Sequence, residues 1–80
     1  MLPRISSVLT KEKYKLNVRF EDGTEVVYDV MEDIDAIPAF KVLLNQQELF
    51  ECVKLDESRT CVFWNDEIDI SSDTIYRYGK

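Results

Sequence analysis

Histidine is absent from this sequence. That removes the commonest general base, the commonest metal ligand and the usual serine or cysteine triads. Glycine occurs only at Gly23 and Gly79, too sparsely for a loop that cradles phosphate between backbone amides. With two prolines as well, there is no composition for a flexible linker or a low-complexity tail. The two cysteines, Cys52 and Cys61, cannot by themselves fill a tetrahedral zinc site, and they form no Cys-x-x-Cys motif. Both read as reduced thiols packed in strands. The longest apolar runs are a few residues, too short to span a bilayer. The opening Met1-Leu2-Pro3-Arg4-Ile5-Ser6 has neither the basic region nor the long apolar core of a signal peptide. These omissions lead to the expectation of a cytoplasmic, non-enzymatic protein with no cofactor, no metal and no membrane attachment.

What is present is one domain over residues 1–80, with 45% hydrophobic and 32% charged residues. Sixteen acidic residues outnumber ten basic ones and give a formal charge of −6. Nucleic-acid affinity comes mainly from lysine and arginine neutralising phosphates, so direct nucleic-acid binding is not expected. An acidic surface favours solubility and suits a basic partner. Glu32, Asp33 and Asp35, and again Asp66, Glu67 and Asp69, group carboxylates as a carboxylate-based hydrolase or a cation site would. Neither group has the ligand spacing and central glycine of a calcium loop, and both read as solvated acidic segments.

Tyr14, Leu16, Val18 and Phe20 alternate with Lys15, Asn17 and Arg19, the period of a half-buried strand. A second strand runs from Thr24 to Val30. A two-residue Asp22-Gly23 loop would set Leu16 against Asp29 and mix the faces. A three-residue loop with Gly23 in the left-handed region pairs Phe20 with Thr24. It sets Val18 against Val26, Leu16 against Tyr28, Arg19 against Glu25 and Lys15 against Asp29, so this register is expected.

Ile5–Leu9 reads as an edge strand, and the acidic stretch Met31–Ile37 as a connection. Pro38 then suits the first position of a helix that places Phe40, Leu43 and Leu44 on one face, with a further turn at Glu48-Leu49-Phe50. A second hairpin, Cys52–Leu55 and Thr60–Trp64, is expected to set Leu55 against Thr60 and Val53 against Val62. Cys52 and Cys61 would share its outer face, roughly 7 Å apart and too far for a relaxed disulfide. Glu67–Ile70 adds a short strand. Ser71 should cap a last helical turn, Ser72–Tyr76, anchored by Ile75 and Tyr76. The expected fold class is α+β: a small antiparallel sheet of two hairpins plus short strands, packed against one short helix and a C-terminal helical turn.

Candidate partner-binding residues cluster late in the chain. Trp64 reads either as a cap on the core or as an exposed anchor, since tryptophan is enriched at binding hot spots. Trp64, Asp66 and Asp69 would share one corner, although Asp69 also fits a local backbone cap. Phe63 points to the opposite strand face. With Val27, Cys52 and Cys61 it would make an apolar patch if nothing covers that face.

The order of these features resembles the DUF2442 family of small bacterial proteins of unknown function. The resemblance is carried by Pro3-Arg4-Ile5, Leu16-x-Val18-x-Phe20-x-Asp22-Gly23, Phe40-x-x-Leu43 and Glu48-Leu49-Phe50-x-x-Val53-x-Leu55-Asp56. It continues through Val62-x-Trp64 and Asp69-Ile70-Ser71-x-Asp73-Thr74-Ile75-Tyr76, and so covers nearly the whole chain. The family usually has Pro-Asn-Gly after the tryptophan, whereas this chain has Asn65-Asp66-Glu67, so a different turn is expected there. The resemblance implies a compact α+β fold like the N-terminal domain of longer members that carry a helix-turn-helix region. Since this chain stops before such a region, DNA binding is not implied.

The family context, in which members lie beside a small toxin-like protein of another uncharacterised family (DUF4160), implies an antitoxin-like role. The leading expectation is therefore a protein-binding module with a basic protein partner. The alternative is a small regulatory or sensory domain that binds a small ligand or homodimerises through its sheet.

Overall fold

Alternation in the first third of the chain builds one antiparallel sheet. The computed structural model describes residues 3–65 and 67–80. Strands β1 (Ile5–Lys11), β2 (Lys15–Phe20) and β3 (Glu25–Asp29) lie side by side in chain order. The β2–β3 register is the expected one: Lys15 opposes Asp29, Leu16 opposes Tyr28, Val18 opposes Val26 and Arg19 opposes Glu25. Gly23 has φ +93°, Phe20 N–H donates to the Thr24 carbonyl at 2.8 Å, and Gly23 N–H donates to the Phe20 carbonyl at 3.0 Å. Arg19 and Glu25 close a 2.9 Å ion pair across the outer face. Lys15 and Asp29 face each other without one; Asp29 Oδ1 instead accepts from Met31 N–H at 3.0 Å.

That hydrogen bond helps start a helix where the acidic residues had suggested a connection. Helix α1 (Met31–Ala36) buries Ile34 one turn after the buried Val30 and places Glu32 and Asp33 in its first turn, where the helix dipole favours negative charge. Asp33 Oδ2 accepts the Tyr28 hydroxyl at 2.6 Å, tying α1 to β3. Burial, and after it this hydrogen bond, pushes the Tyr28 phenol well above its ordinary range. The helix expected after Pro38 is split into a 3-10 segment, Pro38–Lys41, and α2 (Val42–Asn45), while the further turn expected at Glu48-Leu49-Phe50 forms as α3 (Gln47–Phe50). Phe40 and Leu43 are buried, but Leu44 turns outward and is 43% exposed.

The second sheet contains β4 (Lys54–Leu55), β5 (Cys61–Asn65) and β6 (Ile68–Ser71), again in chain order. Its first register differs from the expected one by two positions. Leu55 opposes Val62, not Thr60, and Lys54 opposes Phe63. The loop is therefore longer. Asp56 closes it, with Oδ1 accepting from Thr60 N–H at 3.0 Å and Oδ2 from the Ser58 hydroxyl at 2.7 Å, while Arg59 takes φ +61°. A shift of two preserves the faces, so Val62 and Trp64 still point inward.

Helix α4 (Ser72–Tyr78) starts at Ser71, whose Oγ accepts from Thr74 N–H at 3.3 Å, as expected of that cap. Ile75 is fully buried and Tyr76 half-exposed. Past α4, Lys80 and Val27 exchange backbone hydrogen bonds of 3.0 Å in both directions, which occupies part of the β3 edge. Both sheets and the short helices enclose one core that includes Phe20, Phe50, Val62, Trp64 and Ile75. A backbone hydrogen bond from Ile5 N–H to the Arg59 carbonyl, 2.7 Å, joins the first sheet to the loop of the second. The fold is thus α+β, with two three-stranded sheets and several short helices.

Candidate functional site

The alternation Cys61-Val62-Phe63-Trp64 splits β5 into an inner and an outer row. The inner row is spent on packing. Trp64 is 5% exposed, stacks on Phe50 at 6.0 Å and meets Phe40 edge-on at 6.3 Å. Its Nε1–H donates to the Phe50 carbonyl at 2.8 Å. An indole buried with its polar atom satisfied is a core residue, so Trp64 offers no surface to a partner.

The outer row is only partly covered. Phe63 is half-buried, with Lys54 opposite it on β4 and Asp69 opposite it on β6. Two positions back, Cys61 opposes the exposed Ser71. Burial raises the pKa of the Cys61 thiol, and the negative charges of Asp69 and Asp56 raise it further. Asp69 lies opposite Phe63, and Asp56 pairs with Cys61, its N–H donating to the Cys61 carbonyl at 3.2 Å; a thiol so placed stays protonated rather than becoming a nucleophile.

Of the expected corner of Trp64, Asp66 and Asp69, the two described members lie on opposite faces of the sheet. Trp64 points inward, Asp69 is exposed on the outer face, and Asp66 lies outside the described residues. The capping role expected of Asp69 belongs to Asn65, whose Oδ1 accepts from Glu67 N–H at 2.8 Å and Ile68 N–H at 3.1 Å. The expected apolar patch is divided as well. Cys61 and Phe63 share the outer face of the second sheet, whereas Val27 belongs to the first sheet. Cys52 is exposed just before β4. Asp56, missed in the sequence as a site residue, earns its place by bracing the loop and adding charge beside Cys61. Its position three residues before Arg59 in a polar turn was the available signal.

Among the described residues, no group of three or more histidine, cysteine, aspartate or glutamate side chains could hold a metal ion, and no helix is long and apolar enough to cross a membrane. No curated protein and no solved structure matches the chain. Residues 5–80 match the family described as "Protein of unknown function (DUF2442)". With the match spanning both sheets and all the helices, the chain belongs to the DUF2442 family.

Proposed function

We propose that this chain is a non-enzymatic protein-binding module of the cytoplasm whose partner is a small basic protein, in an antitoxin-like pairing. The observation that carries the reading is the outer face of the second sheet, where half-buried Phe63 lies between Asp69 and Lys54 and half-buried Cys61 lies beside Asp56. An aromatic anchor supplies contact area, and the flanking charges supply orientation and a faster encounter with a basic surface. The formal charge of −6 extends the same preference over the molecule.

Co-expression with a small basic DUF4160-like protein tests the reading. The two should co-purify at low salt and separate as salt rises. Phe63→Ala should weaken the complex by about 2 kcal/mol, and Asp69→Lys should mainly slow association. Separate elution at low salt sinks the proposal. A second reading, homodimerisation through the first sheet, is favoured by Leu9, which is 65% exposed on edge strand β1. Sedimentation of the chain alone distinguishes the two.

A further inference from the structure

The turn between β1 and β2 breaks two local rules at once. Lys11 and Lys15 oppose each other in register, on one face of the sheet. Cross-strand neighbours sit roughly 5 Å apart, and like charges there are destabilising. Between them, Lys13 and Tyr14 take φ +62° and +60°, a region that side-chain-bearing residues rarely adopt. Tyr14 has a structural reason for its conformation, since its ring meets Phe50 edge-on at 5.1 Å and its hydroxyl donates to the Leu44 carbonyl at 3.3 Å. Lys13 has none. Arg19, Arg59 and Arg77 each have a carboxylate partner, whereas among the described residues none of these three lysines forms an ion pair.

The three lysines also line one cleft of about 760 Å³, together with Thr10, Val27 and Phe50. Glu12 and Glu51 line it too. Departures from local consistency that packing does not explain concentrate at functional sites. We propose that this cleft binds a small phosphate-bearing anion. A lysine ammonium group is a point charge with rotatable donors, which suits a tetrahedral anion better than a planar carboxylate. Asp29 faces Lys15 from β3 on the same face and offsets part of the Lys11–Lys15 repulsion; a bound anion would relieve the rest, so binding and local stability are coupled. The site is separate from the outer face of the second sheet, and it stands whether or not that face binds a protein.

The test is a titration of the ¹⁵N-labelled full chain with inorganic phosphate at low ionic strength, followed by amide chemical shifts. The expected result is saturable movement of the amides of residues 11–15. Lys13→Gln should weaken binding by up to roughly fivefold, and Glu51→Gln should tighten it. Lys54→Gln, on the other sheet, should leave it unchanged. Shifts that stay linear with phosphate, or saturable shifts that survive Lys11→Gln combined with Lys13→Gln, overturn the proposal. Saturable binding of a poly-glutamate peptide to residues 11–15 with no saturable response to phosphate also overturns it, and would assign the cleft to an acidic peptide. Should the double variant fail to fold, the sign of the Glu51→Gln effect decides.

Discussion

Tyr76 donates its hydroxyl to Asp22 Oδ2 at 2.9 Å, fastening the last helix to the turn of the first hairpin across more than half the sequence. The same carboxylate accepts from Thr24 N–H through Oδ1 at 2.8 Å. The Phe20 and Tyr76 rings pack edge-to-face beneath it, 4.8 Å apart.

Those hydrogen bonds hold the Asp22 carboxyl below its usual pKa of 3.8, the Thr24 N–H contributing most. A carboxylate with a lowered folded-state pKa stabilises the fold above the unfolded value and loses that contribution as pH falls through the folded value. Asp22→Asn should therefore lower the urea midpoint near neutral pH and have little effect well below pH 3.8. Tyr76→Phe should show the same dependence, more weakly. A pH-independent loss in both variants would contradict the assignment.

Gly23 carries φ +93° with nothing within 4 Å of where a Cβ would sit. A side chain there meets no neighbour, so the whole penalty is conformational. Gly23→Val should destabilise the chain by about 1–2 kcal/mol. Thermal unfolding followed by circular dichroism measures it, and an unchanged midpoint would refute the bulged turn.

Trp64→Phe removes the Nε1–H that satisfies the Phe50 carbonyl inside the core. Leaving that carbonyl unpaired and shrinking the ring should cost about 2–3 kcal/mol. Urea unfolding read by far-ultraviolet circular dichroism gives the value. A loss below the measurement error would mean that the indole is not held as described.

Ser72 is fully buried, and its Oγ finds no partner among the described residues. A buried hydroxyl without a hydrogen bond pays its desolvation without return. Ser72→Ala should leave stability unchanged or raise it by about 1 kcal/mol. A clear fall in melting temperature would show that the hydroxyl has a partner.

The first hairpin was fully legible because two independent signals agreed. Alternation fixed the faces, and Gly23 fixed the one loop length that kept charges opposite charges. The second hairpin had no such glycine. Its two candidate registers differ by two residues, and a shift of two leaves every side chain on the same face, so hydrophobic pattern could not choose between them. The choice fell to Asp56, which closes the loop with its side chain, and to the positive φ of Arg59, which its residue type conceals. Helix α1 was obscured by its acids, although Val30 and Ile34 at i and i+4 were the available sign. At the candidate site, the outward direction of Phe63 and Cys61 followed from strand parity, and so did the inward direction of Trp64. Parity alone could not show that the indole nitrogen has a backbone acceptor, which makes Trp64 a core residue rather than an anchor.

Every strand in both sheets pairs with a neighbour in the chain. Each meander can therefore zip from its own turns, with short loops to close and little chain entropy lost per step. Rapid folding follows from that connectivity. The contacts that must wait are those between distant segments: Ile5 on Arg59 and Tyr76 on Asp22. The joining of the two halves through these late contacts would then lag behind the zippering that amide circular dichroism follows, and that lag would be the kinetic trace of a domain assembled from two local pieces.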